Sequence, residues 1–96
     1  MHAVVITVYV ADPHDEMGRK NLRENVAPGV ARAPGFVAGY WLEPTAGNEA
    51  LSVVLFETED FAKAGLDMAK EMFAGSEPPP GVRLKTAEVR AVAANA

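Results

Sequence analysis

The chain has no cysteine and few basic residues. Among its 96 residues the lack of cysteine excludes disulfide bonds and thiolate metal sites. Nine Lys and Arg residues stand against 13 Asp and Glu residues, which gives a formal net charge of −4 at pH 7. A nucleic-acid-binding protein needs a basic face that neutralises phosphates. The charge balance therefore argues against nucleic acid as a partner.

Long hydrophobic runs and clusters of metal ligands are also missing. The opening apolar run at 3–10 is about half as long as a membrane span requires. No basic segment and no cleavage site mark it as a signal peptide. Two histidines, His2 and His14, with scattered carboxylates do not make a metal site. We therefore expect a cytoplasmic protein with no membrane partner and no metal.

What the chain does contain is a high proportion of apolar residues for its length. They make up 49% of the sequence, whereas a domain of this size buries only about 60% of its unfolded surface. A second copy commonly completes a marginal core of this kind. Residues 1–96 are therefore expected to form one domain that assembles as a homodimer.

The spacing of apolar residues predicts the element order β-α-β-β-α-β. Alternating and β-branched residues predict strands at 3–10, 36–43, 51–56 and 82–92. Right-handed crossovers convert this order into a ferredoxin-like α+β fold, a four-stranded antiparallel sheet with the order 4-1-3-2 and both helices on one face. The other face is left bare, and we expect a second protomer to cover it.

The two helices have recognisable ends. Asp12 suits an N-cap for the first helix, which should kink or break near Ala27 because Pro28 cannot donate a backbone hydrogen bond. The second helix begins at Glu59 and ends before Gly75, with a core stripe expected to include Phe61, Gly65, Met68, Ala69, Met72 and Phe73. The proline-rich segment 76–81 is expected to be extended and stiff.

Strict alternation along each strand assigns side chains to the two faces of the sheet. Because the Glu43 carboxylate does not belong in a core, Tyr40 is expected to face the helices and Trp41 the open face. The apolar phase of the third strand, Leu51, Val53 and Leu55, is expected to face the helices. The open face should then hold the pocket-lining residues Thr7, Tyr9, Trp41, Ser52 and Phe56.

Four polar residues are candidates for catalysis. Tyr9 could orient or protonate a substrate oxygen, and Glu88 with Arg90 could bind a carboxylate or act as acid and base. His14 lies at a strand–helix junction and titrates near neutral pH. Each has a structural alternative: amphipathic packing for Tyr9, a solvated charge pair for Glu88 and Arg90, and a plain surface position for His14. Trp41 could likewise stack a planar ligand or anchor a dimer interface.

Two motifs carry a family resemblance. They are Ala-Pro-Gly-Phe-Val at 33–37, and Val-Val-Leu-Phe-Glu at 53–57 followed by Thr-Glu-Asp-Phe-Ala at 58–62. In these motifs and in its element order the chain resembles the dimeric α/β-barrel superfamily, particularly its antibiotic-biosynthesis-monooxygenase-like members. The resemblance covers essentially the whole chain, which looks like small stand-alone actinobacterial proteins of unassigned function.

The resemblance implies a cofactor-independent monooxygenase-like protein that acts on a small aromatic or quinone-like metabolite in a pocket between sheet and helices. Oxygen would react with the substrate's own carbanion, Trp41 and Phe56 would wall the pocket, and Tyr9 and Arg90 would hold substrate oxygens. Two other interpretations remain open. One is a non-catalytic homodimeric module that binds a small ligand or only assembles, and the other is a small isomerase-type enzyme with His14 or Glu88 as its base.

Haem-degrading members of the superfamily use an Asn on the first strand, a Trp at the end of the third strand and a His on the second helix. The resemblance matches the first two positions to Thr7 and Phe56, and the second helix contains no histidine. The resemblance therefore does not extend to haem degradation.

Overall fold

The computed structural model describes residues 1–75 and 81–96, and the described elements follow the predicted order. The predicted stiff segment at 76–81 lies outside the described residues except for Gly81. The elements are β1 His2–Val10, α1 Glu16–Asn21, a π-helix Leu22–Val26, α2 Ala27–Val30, β2 Phe36–Trp41, β3 Glu49–Phe56, α3 Glu59–Ala74 and β4 Val82–Ala91. None of the helices in the described part of the chain is long and apolar enough to cross a membrane.

The four strands form one antiparallel sheet with the order β2-β3-β1-β4. This is the predicted order, and β1 lies at the centre between β3 and β4. The helices cover one face of the sheet. The ferredoxin-like α+β fold predicted from the sequence is therefore confirmed.

The N-terminal helical segment, residues 16–30, begins later than predicted. Asp15 is the N-cap, since its side chain accepts a hydrogen bond of 3.0 Å from the Met17 N–H. Asp12, the predicted cap, instead accepts a hydrogen bond of 2.9 Å from the His14 N–H inside the preceding loop.

A π-helical turn replaces the break predicted near Ala27. The Ala27 N–H donates to the Leu22 carbonyl, five residues back, and the helix then continues to Val30. Pro28 has no N–H to give to the carbonyl of Glu24, so the wider turn sacrifices no α-helical hydrogen bond at that position. The proline changes the winding of the segment without ending it.

The core lies between α3 and one face of the sheet. Its buried centre is formed by Val4, Val54, Phe56 and Ala62. On β3 the inward residues are therefore Val54 and Phe56, and the prediction that Leu51, Val53 and Leu55 face the helices is wrong. Both phases of β3 are apolar, so hydrophobicity alone could not choose between its two faces.

A β-bulge at Val37 decides where the two adjacent aromatic residues point. Phe36 pairs with Phe56 and Ala38 pairs with Leu55, so Val37 is an extra residue on β2. Beyond the bulge the alternation is reversed, because one inserted residue moves every later side chain to the other face. Trp41 packs against the core, whereas Tyr40 is 58% exposed. The predicted faces of Tyr40 and Trp41 are therefore wrong.

Helix α3 packs by only part of the stripe that was predicted. Ala62 is completely buried, with Gly65, Leu66, Ala69 and Phe73 partly buried on the same side. Met68 and Met72 are 61% and 45% exposed, so their predicted core positions are wrong. They lie on one flank of α3 instead of on its underside.

Candidate functional site

The two helical elements cover the helical face of the sheet unequally. Helix α3 packs along β1, β3 and β4, whereas the N-terminal helical segment meets the sheet chiefly at its own C-terminal end, where α2 contacts β2. Residues 16–30 are all described, and none of them is buried. The first part of this segment therefore covers the sheet loosely. We call the part of the helical face between this segment and α3, with the sheet as its floor, the cleft.

Trp41 and Ser52 are neighbours on that floor. They are paired across β2 and β3, and both lie on the helical face. The indole lies over Gly39, where an added Cβ would come within 2.9 Å of ring atoms Cη2 and Cζ3. Glycine at this position therefore gives the ring room to lie against the strand. A partly buried indole beside one hydroxyl is an arrangement that can hold a planar, weakly polar molecule.

One flank of α3 forms a wall of the cleft. The Phe61 ring contacts Gly35, which follows the N-terminal helical segment and has a positive φ of 76°. This flank of α3 therefore faces the segment. Met68 and Met72 follow seven and eleven residues after Phe61, which places them on the same flank. Methionine side chains are flexible and polarisable, so this wall can adapt to the shape of an apolar ligand.

The opposite wall is the apolar side of the N-terminal helical segment. Val30 packs against the core. Leu22 and Val26 precede it at intervals of four residues and are only partly covered, with Leu22 36% exposed. The cleft is thus apolar on both walls and carries its aromatic group on the floor.

The structure separates the predicted pocket residues onto two faces. Trp41 and Ser52 lie in the cleft, whereas Thr7 and Tyr9 lie on the open face. Phe56 is only 2% exposed and belongs to the core. Its ring fills the space over Gly65, where an added Cβ would be 2.7 Å from Cζ. The five residues predicted to line one pocket on the open face therefore do not form one.

The predicted catalytic residues lie away from the cleft. Glu88 and Arg90 pair with Val5 and Ala3 on the open face, as predicted. His14 is exposed in the loop before α1. The sheet separates Glu88 and Arg90 from Trp41.

Tyr9 is part of a charged cluster at the end of the open face. The Arg83 guanidinium lies 4.9 Å from the ring centroid and the Lys85 ammonium 5.5 Å from it. Lys85 also forms an ion pair with Glu49, and this hydrogen bond raises the pKa of Lys85 above its usual value. Tyr9 and Arg83 also border an open depression at this end of the sheet.

The rest of the open face is more apolar than the sequence suggested. Tyr40 and Leu42 are 58% and 50% exposed, and Val53 is the cross-strand partner of Tyr40. Exposed apolar patches of this kind usually mark an interaction surface.

An ion pair that sequence reasoning missed joins the N-terminal helical segment to the end of β2. Arg19 Nη2 lies 2.8 Å from Glu43 Oε2, and Arg19 Nη1 lies 2.8 Å from Glu16 Oε1. The sequence placed Glu43 on the open face. It lies on the helical side because the bulge reverses the strand, and the basic side of the segment supplies its partner.

A four-stranded antiparallel sheet with helices on one face and the other face bare is a ferredoxin-like fold. The haem-degrader MhuD from Mycobacterium tuberculosis, solved with two haems bound in its active site, is similar with a TM-score of 0.69. The two sequences are 19% identical, and the match covers 100% of this chain and 99% of MhuD.

A monooxygenase has a similar structure. It comes from the gene ActVA-Orf6 of Streptomyces coelicolor, was solved in complex with nanaomycin D, and matches with a TM-score of 0.65 and 17% identity. The match covers 99% of this chain and 89% of that one. No protein-family model matches this chain, and no curated protein sequence is similar to it. At these identities the likeness establishes the fold.

The residues of the cleft do not match the haem-degrading set described above. Helix α3 contains no histidine, and Thr7 faces away from the cleft. His2 lies at the start of β1, and its Nε2 atom is 3.3 Å from Oε2 of Glu59. His14 is in an exposed loop. Within the described ranges, no group of three His, Cys, Asp or Glu side chains is placed to hold a metal ion.

Proposed function

We propose that this chain is a cofactor-independent monooxygenase-like protein that binds a small aromatic or quinone-like metabolite in the cleft between the helices and the sheet. The position of Trp41 on the helical face of the sheet, between two apolar walls, carries this proposal. The similarity in fold to a monooxygenase solved with nanaomycin D supports it.

The proposed role of the protein in the reaction is to bind and orient. Trp41 stacks against the ring system, Met68 and Met72 pack on its edge, and the Ser52 hydroxyl hydrogen-bonds a substrate oxygen. The substrate loses a proton to become a carbanion, which reacts directly with oxygen. At an activated CH2 group, one oxygen atom becomes the new ketone oxygen and the other leaves as water with both hydrogens. An apolar site protects a reactive intermediate from side reactions because it excludes water.

Tyr9 and Arg90 have no part in this proposal, since they lie on the opposite face of the sheet. The isomerase interpretation loses its support for the same reason, because Glu88 is also on that face and His14 is exposed in a loop. The non-catalytic interpretation needs only the cleft and stays as the alternative.

The test measures oxygen consumption with dihydroxy-aromatic substrates such as dihydroxyanthrone. We expect consumption by the wild-type chain, a fall of at least about tenfold in Trp41→Ala, and partial retention in Trp41→Phe. Tyr40→Phe is the matched control, since it changes the adjacent aromatic residue on the other face. If no substrate reacts but a naphthoquinone still quenches Trp41 fluorescence, the protein is a binding module. If neither occurs, the cleft is not the site.

We also propose that the whole chain, residues 1–96, folds as one domain and forms a homodimer through the open face. The exposed apolar side chains of Tyr40 and Leu42 support a partner there. A second copy can cover this surface with its own copy of the same patch, because an isologous interface needs only one self-complementary patch.

A further inference from the structure

The first part of the N-terminal helical segment is held to the protein by few contacts. Helix α1, residues 16–21, contributes no buried side chain, and its closest tie to the sheet is polar. By contrast, the C-terminal end of the segment is fixed by Val30, which packs against the core. Local opening is easiest where little apolar surface is buried, so α1 is the part of the segment that can move.

One arginine makes the polar tie. Arg19 donates to Glu43 Oε2 at 2.8 Å, to Glu16 Oε1 at 2.8 Å and to the Pro13 carbonyl at 3.3 Å. Of these partners only Glu43 belongs to the sheet side of the cleft, where it follows Trp41 by two residues. The Arg19–Glu43 pair therefore ties α1 to the chain that follows the end of β2, on the helical side of the sheet.

The π-helix lies where a hinge would be needed. Leu22–Val26 separates α1 from the anchored end of the segment, and none of its residues is buried. A π turn has one residue more per hydrogen-bonded ring than an α turn, and such turns are frequent at functional sites. Converting it between π and α winding would rotate α1 while Val30 stays in place.

We propose that α1 is a lid over the cleft, latched by the Arg19–Glu43 ion pair and hinged at the π-helix Leu22–Val26. Arg19 is thus a positioning residue that controls access to Trp41. The lid itself does not depend on the proposed function; only the consequence for substrate entry rests on it. The test therefore needs no ligand, and its failure is distinguishable from failure of the oxygenase proposal.

The two glutamates that pair with Arg19 provide a pair of variants that can be compared. Glu43→Gln removes the partner across the cleft, whereas Glu16→Gln removes the partner within α1. Both lose one negative charge beside Arg19, and only Glu43→Gln opens the latch. Hydrogen exchange of residues 16–21 and acrylamide quenching of Trp41 fluorescence are the two readouts. Trp41 is the single tryptophan of the chain, so the fluorescence signal is unambiguous.

We expect Glu43→Gln to increase the exchange rate of α1 amides about two- to fivefold, as suits an exposed ion pair, and to increase the quenching of Trp41. Exchange in α3 and in the strands should not change. Glu16→Gln loses a first-turn carboxylate and a pair within α1, so it can raise α1 exchange slightly but should leave the quenching of Trp41 at the wild-type level. Salt at about 1 M should reproduce the effect in the wild type and add little in Glu43→Gln. Equal exchange and equal quenching in the two variants would overturn the latch. Faster exchange throughout the chain would show general destabilisation and would overturn the lid.

Discussion

Substitution of Gly65 by alanine tests whether Phe56 belongs to the core or to the cleft. Gly65 lies in α3 directly over the Phe56 ring. An added Cβ would come within 2.7 Å of Cζ and 2.9 Å of Cε2, closer than carbon atoms can approach without movement. Phe56 is 2% exposed, so the ring is enclosed by its neighbours. Gly65→Ala must therefore force α3 away from the sheet or push the ring out of its rotamer.

Two opposing terms set the magnitude. Alanine in a helix interior is favoured over glycine by about 1 kcal/mol, whereas an extra carbon in a packed core costs about 1–3 kcal/mol. Because two ring atoms are in conflict with the Cβ and the ring is enclosed, we expect the packing cost to exceed the helical gain. The net destabilisation should be about 1 kcal/mol.

Gly29→Ala is the matched control, because a Cβ at this helical position would meet nothing within 4 Å. The free energy of unfolding of this variant should rise by about 0.5–1 kcal/mol from helix propensity alone. The two variants should thus differ by about 2 kcal/mol, which for a domain of this size is a difference in Tm of about 8–16 °C. Thermal unfolding followed by circular dichroism measures this, at one protein concentration because dimerisation would link Tm to concentration.

Equal stability of Gly65→Ala and Gly29→Ala would contradict this packing of Phe56 under α3. The Phe56 ring would then be free to swing aside, and the space beside it would be continuous with the cleft. In that case Phe56 would return as a candidate pocket residue.

Two further predictions concern the open face and the start of α3. Tyr40→Glu should lower the mass in analytical ultracentrifugation to that of the monomer without changing the circular dichroism spectrum, because Tyr40 is exposed on the bare face; an unchanged mass would exclude this face as the interface. The hydrogen bond from Lys63, together with its charge, lowers the pKa of Glu59. A lowered folded-state pKa contributes stability above the unfolded value of about 4.3 and loses it as the pH falls through the folded value. The Tm of wild type should therefore fall towards that of Glu59→Gln below about pH 4, and parallel Tm curves at all pH values would contradict this.

The order of the elements could be predicted from the sequence because its signals are local. Periodicity, prolines and glycines marked each strand and helix to within a few residues, and Gly75 caps α3 as expected. The sheet order followed from the rules of connection alone. Local signals were ambiguous at the start of the first helix. Asp12 and Asp15 both suit an N-cap, and Asp15 is the N-cap in the structure.

The candidate site was predicted less well because it depends on which face each strand turns towards the helices. On β3 both faces are apolar, and burial of Val54 and Phe56 is decided by the packing of α3 above them. On β2 the Glu43 carboxylate seemed to exclude the helical side, yet an arginine from another element neutralises it there. A partner 24 residues away cannot be read from alternation within one strand.

The sequence by itself determined that this chain forms a ferredoxin-like α+β sheet with helices on one side, since local propensity and chain connectivity suffice for that. It also determined that Tyr40 and Trp41 face opposite ways, because adjacent residues in a strand must. Only the tertiary structure decided which of them faces the cleft. One extra residue at Val37 in the pairing of β2 with β3 reverses every later side chain of β2, and alternation within one strand does not reveal an inserted residue.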